Sequence, residues 1–176
     1  MYAGHVSVAL GAHGLRRRTP LWLLLLAAQL PDWYDAGFCS LALDRGRDGL
    51  YTHGLHVIAL SAIVLAGGYA LATRDRFGGV IVALTLASHY ALDFLTGVKP
   101  TWPGGPSIGL ALYARPTTEL FLELATILLG WWLYRRTLPG EQRNRWTVYA
   151  MLAALLAWQA IAGVAFYLNL GGNTKC

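Results

Sequence analysis

Long apolar runs separated by short polar punctuation set the pattern of this 176-residue chain. Four runs are long enough to cross a bilayer: His53 to Thr73, Phe77 to Gly97, Thr117 to Tyr134 and Trp146 to Leu170. A hydrocarbon core of ~30 Å takes roughly 20 helical residues. Helix is the open structure that satisfies its own backbone polar groups there. Tyr2 to Leu15 and Pro20 to Leu30 are apolar but short. At ~1.5 Å per residue they reach only about 16–21 Å. They are expected to form a hairpin of two short helices turning at Arg16, Arg17 and Arg18. Pro31 is expected to end the second helix, because the residue before a proline is pushed out of the helical region.

The predicted fold is therefore an all-α polytopic membrane helix bundle, with four full spanning helices plus an N-terminal hairpin of two short ones. Residues 1–176 form one membrane domain. Residues 1–97 hold most of the ionisable side chains. Residues 98–116, with Gly104, Gly105 and four prolines, form a loop or lid. Residues 117–176 supply two further transmembrane helices.

Composition agrees with this pattern. The chain is 56% hydrophobic and 13% charged, where a soluble domain carries about 25% charged residues. The net charge of +5 does not indicate nucleic acid, since the arginines sit in short clusters between apolar runs, as orienting charges do. Cys39 and Cys176 fit neither a metal spacing nor a disulfide framework. The N-terminus shows no early basic region and no clear cleavage site, so the first apolar stretch is expected to be retained. With the three-arginine turn facing the cytoplasm, that side carries nine Lys and Arg residues and the other carries five. The positive-inside rule then places both termini on the extracytoplasmic side.

This topology gathers the ionisable residues at one depth. His5, Asp32, Asp35, His53, His56, His89, Asp93, Glu119 and Glu123 all fall in the outer half. Each costs ~2.5–3.5 kcal/mol in a membrane segment and needs a partner or a cavity. A bound cation would satisfy them together. His89 and Asp93 stand at i and i+4, on one helix face. The mix of imidazole and carboxylate suits zinc, with iron or manganese as further candidates. An all-carboxylate set would have pointed to magnesium or calcium. The same residues could line a cation or proton pathway, although only His13 lies toward the other end.

The stretches LPDWYD (30–35), YTHGLH (51–56) and HYALDFLTG (89–97), preceded by His5, resemble the bacterial inner-membrane metal-dependent hydrolases. That family is in turn similar to zinc-dependent phospholipase C and the related single-strand nucleases. The resemblance covers roughly residues 5 to 97. It implies a metal held by Asp32, His53, His89 and Asp93, with Asp93 bridging to a second ion at His5. His56, Asp35 and Glu119 become additional ligands or supporting groups. Asp32 or Asp35 would accept a proton from water. Arg45, Arg47, Lys99 or Arg115 would hold phosphate. The implied substrate is a membrane lipid phosphoester, cleaved at the extracytoplasmic side of a bacterial inner membrane. Asp48-Gly49 stands where the family carries His-Arg. A structural relative without activity is the competing expectation.

Overall fold

The computed structural model describes residues 2–41 and 51–167. Arg45, Arg47, Asp48, Gly49 and Cys176, and the predicted last span beyond residue 167, lie outside the described residues. The helices are α1 (Tyr2–Leu15), α2 (Leu21–Ser40), α3 (Leu55–Thr73), α4 (Arg76–Thr96), α5 (Pro116–Arg136), a four-residue α6 (Gly140–Arg143) and α7 (Trp146–Tyr167). They make the all-α bundle that the apolar runs predict. Among the described residues, α3, α4 and α7 are long and apolar enough to cross a membrane. The expected span over Thr117 to Tyr134 is α5, equal to α4 in length at 21 residues. Charge sets it apart, with Glu119 in its first turn, Glu123 buried within it and Arg135 and Arg136 in its last turn.

The hairpin of two short helices needs correction. α2 continues through Pro31 for 20 residues, or ~30 Å. A proline has no N–H, so the Ala27 carbonyl four residues back loses its helical donor. Here the Ala28 carbonyl accepts a hydrogen bond from His89 Nδ1 at 2.7 Å. That bond ties the turn before Pro31 to α4. Asp32 and Asp35 consequently stand on α2 itself and not in a loop after it.

α1 sits centrally, against α2, α4 and α5, while α3 packs on α4. The core between them is built from Ala9, Leu24, Ala27, Val82 and Leu86, joined by Ile58 and Ala66 of α3. α1 and α5 run parallel at close range. A Cβ on Gly14 would meet the Leu133 carbonyl oxygen at 2.6 Å, and one on Gly130 would land on the Ser7 carbonyl. Small residues allow such backbone approach in membrane helices. Large side chains of α3, among them Leu60, Ile63, Val64 and Leu71, face outward, as expected of a surface covered by lipid.

The arginine-bearing turns share one end. Arg16 pairs with Asp75 at 2.6 Å, and the Arg16 guanidinium holds that carboxyl below the usual carboxylate range. Arg17 donates to the Tyr134 carbonyl at 3.2 Å and to Thr137 at 3.0 Å. Arg135 donates to Asn144 at 2.8 Å. The opposite end carries an antiparallel hairpin, β1 (Lys99–Pro100) with β2 (Ser107–Ile108). It is fastened to α4 by Leu110 N to Phe94 O at 2.7 Å, and to the start of α3 by Leu55 N to Thr101 O at 2.8 Å.

Candidate metal centre

Three helices and one 3-10 turn bring the sequence-predicted residues together at the hairpin end. α1 supplies His5, α2 supplies Asp32 and Asp35, the turn Tyr51–His53 supplies His53, and α4 supplies His89 and Asp93. Two sets of donors converge within 4.8 Å: His5, His89 and Asp93, and Asp32, His53 and His89. His89 belongs to both.

Four donor atoms form a ring. His53 Nε2 lies 3.1 Å from Asp32 Oδ1 and 3.5 Å from Asp93 Oδ2. His89 Nε2 lies 3.5 Å from Asp93 Oδ2 and 3.7 Å from Asp32 Oδ1. A tetrahedral ion with ligand bonds of 2.0–2.1 Å spaces its donors by ~3.4 Å. These four edges bracket that value, while Asp93 stands outside the set of Asp32, His53 and His89 whose donors all lie within 4.8 Å of one another. Asp93 also turns Oδ1 toward His5 Nε2, at 3.5 Å. Its Oδ1 thus faces His5 while its Oδ2 faces His53 and His89. The His5 and His89 rings stack at 3.9 Å between centroids.

The tautomers follow from the outer contacts. A carbonyl only accepts, so His89 Nδ1 must donate to Ala28 and Nε2 carries the lone pair. That Nε2 is fully buried and has no hydrogen-bond partner. It points at two carboxylates. His53 Nδ1 lies 3.1 Å from both Asp35 Oδ2 and Thr52 Oγ1. The Thr52 hydroxyl donates to Asp35 Oδ1, leaving its own oxygen to accept from His53. His53 Nε2 in turn forms a hydrogen bond with Asp32 Oδ1, so both nitrogens of that ring face carboxylates. The buried lone pair of His89 Nε2, facing carboxylate oxygens, is repelled by them unless positive charge lies between. Hydrogen bonds on the second ring nitrogen are also how metal-ligating histidines are held.

Five predicted ligands, His5, Asp32, His53, His89 and Asp93, meet in this cluster. Three others do not join either donor set. Asp35 stands one layer out, orienting His53. His56 turns Nδ1 toward the Thr101 carbonyl at 3.5 Å. Glu119 lies against Glu123, whose Oε1 accepts from Gly4 N at 3.1 Å. The first N–H groups of a helix lack internal partners, and a carboxylate there also meets the helix dipole favourably. Glu123 thus serves the start of α1, and Glu119 stands beside it, outside both donor sets. Thr52, Lys99 and the Ala28 carbonyl were not singled out as ligand-orienting groups by the sequence. Thr52 directly precedes His53 and so left a signal, whereas the Ala28 carbonyl left none. Lys99 Nζ reaches Asp93 Oδ2 at 3.1 Å by way of the hairpin, which periodicity does not show.

An N–H restored at position 31 would bond the Ala27 carbonyl and tighten the turn that presents Ala28 to His89. Pro31→Ala is expected to weaken metal affinity by about 10-fold, as loss of a supporting contact does. A chelator competition titration reads this directly. Unchanged affinity would show that the bond to Ala28 does not set the His89 ring.

No curated protein and no solved structure matches the chain. A family model does, over residues 1–166, and its description gives a membrane location. That location agrees with the three apolar spans and the lipid-facing surface. The chain belongs to the YdjM inner membrane protein family.

Proposed function

We propose that this protein is a membrane-embedded, metal-dependent hydrolase that cleaves a phosphoester of a lipid at the extracytoplasmic face. The observation that carries the reading is the buried, partnerless Nε2 of His89, held inward by Ala28 and ringed by carboxylate and imidazole donors. Asp32, His53, His89 and Asp93 would hold one divalent ion, zinc foremost. His5, with the other oxygen of Asp93, would hold a second. Such an ion lowers the pKa of bound water toward ~7 and polarises a phosphoryl oxygen.

The chain's own groups do the rest. Asp35 and Thr52 fix the His53 ring, and Ala28 fixes that of His89. Asp32 gives one oxygen to the ring and keeps the other to accept a proton from water. Lys99, partly exposed beside Asp93, is placed to hold the phosphoryl group at the mouth. Arg115, also in the hairpin segment, is exposed. The arginine end, set toward the cytoplasm by the positive-inside rule, leaves the cluster facing outward.

Two experiments test this. Purified protein, stripped with chelator and reloaded with zinc, is assayed on phospholipids and soluble phosphomonoesters and diesters. Zinc-dependent headgroup release supports the reading. Inactivity on every phosphoester, combined with metal-dependent ion flux in proteoliposomes, would replace it with transport. Lys99→Met is expected to raise KM for an anionic substrate roughly 10-fold or more, the size of one lost charged hydrogen bond. Bound metal should stay unchanged and Lys99→Arg should recover part of the loss. An unchanged KM would remove Lys99 from the site.

A further inference from the structure

Below the cluster, a groove of about 290 Å³ runs along α1 between α4 and α5. Val8 and Ala12 form its floor, Ile81 and Leu84 one wall, and Leu129 and Leu133 the other. The hydroxyls of Thr85 and Thr126, which also line it, donate back to the Ile81 and Leu122 carbonyls of their own helices. The lining is therefore apolar throughout. α4 and α5 both pack on α1 but barely on each other, so the groove opens sideways, toward lipid.

The groove and the cluster lie on the same helix faces. Steps of three or four residues keep to one face. His5, Val8 and Ala12 make such a stripe on α1, and Ile81, Thr85 and His89 make one on α4. One turn, ~5 Å, separates the apolar floor from the polar donors. Read along the membrane normal, the surface is polar at the outer end and apolar for ~10 Å beneath. That is the complement of an amphiphile with a charged head and a hydrocarbon tail.

We infer that this groove holds one hydrocarbon chain of the membrane lipid whose phosphoryl headgroup sits at the cluster. The inference rests on the reading of the cluster as the headgroup site. It explains why a lateral opening adjoins the donors, and it selects chain-bearing esters over soluble ones.

The full-length protein in nanodiscs is photolabelled with a phosphatidylethanolamine carrying a diazirine in its acyl chain. Label is expected on Leu84 and Leu129. Ala12→Trp, which fills the floor, should reduce labelling there several-fold while zinc content stays that of wild type. Thr126→Phe, which fills the wall, gives the same test should Ala12→Trp fail to fold. Label spread evenly over the outward faces of α3 and α7, insensitive to both variants, would overturn the inference. A second copy of the chain cross-linked through the groove would do so too. Zinc binding with groove-independent labelling sinks the groove alone. Groove labelling without any zinc binding sinks the metal reading and leaves the lipid slot standing.

Discussion

Replacing His89 with alanine is expected to abolish stoichiometric zinc and to lower phosphoester hydrolysis more than ~100-fold, beyond the 10- to 100-fold typical of a supporting group. His89 is the one side chain common to both donor sets. With Nδ1 donating to Ala28, its Nε2 offers the one lone pair that completes the set with Asp32 and His53, so its removal takes the central imidazole from the cluster. It also leaves the Ala28 carbonyl without its donor and opens a cavity in a fully buried site. Some loss of stability will accompany the loss of metal, so activity alone cannot decide the point. Glu119→Gln provides the contrast. Glu119 stands outside both donor sets, and its variant is expected to keep zinc and activity. Retention of full zinc by His89→Ala would show that the cluster is a hydrogen-bonded lock between helices.

The second large effect is structural. Gly130→Leu is expected to cost about 3 kcal/mol, the upper part of the range for overpacked sites, and to lower the melting temperature by roughly 6–12 °C. A side chain there meets the Ser7 carbonyl of α1, which is backbone and cannot move aside. α1 must shift, and His5 and the Gly4–Glu123 contact shift with it. Metal at the His5 set should therefore weaken along with stability. Gly68→Leu on α3 is the control, since a Cβ there meets nothing within 4 Å. Thermal unfolding of detergent-purified protein followed by tryptophan fluorescence measures both. Equal melting temperatures for the two variants would contradict the close α1–α5 seam.

Much of this was legible in the sequence. Apolar runs located α3, α4, α5 and the described part of α7 to within a few residues, because an isolated helix in lipid has one way to satisfy its backbone. The i, i+4 spacing of His89 and Asp93 and the alternation of helix ends brought the outer-half residues to one place. Local rules failed where tertiary contacts supplied what the chain lacked. Pro31 was expected to stop a helix, but α2 continues through it, and the bond to the Ala28 carbonyl ties the turn before it to α4. Glu119 shares the depth of the ligands yet pairs with Glu123. Depth is readable from spans, whereas the direction a side chain faces depends on which helices become neighbours. The parallel α1–α5 contact, which diverts the acids, lies more than a hundred residues apart in the chain. The His53–Asp35–Thr52 arrangement could be suspected from the adjacent Thr-His pair. The reach of Lys99 back to Asp93 depends on the hairpin register, which two-residue strands barely announce.

Elemental analysis joined to X-ray absorption spectroscopy on protein purified without chelator tests the central claim most directly. At least one zinc, iron or manganese ion per chain, bound by nitrogen and oxygen at ~2.0–2.2 Å with two or more imidazoles, is the expected result. A chain that stays free of transition metal even after added zinc, while folded and membrane-inserted, would contradict it.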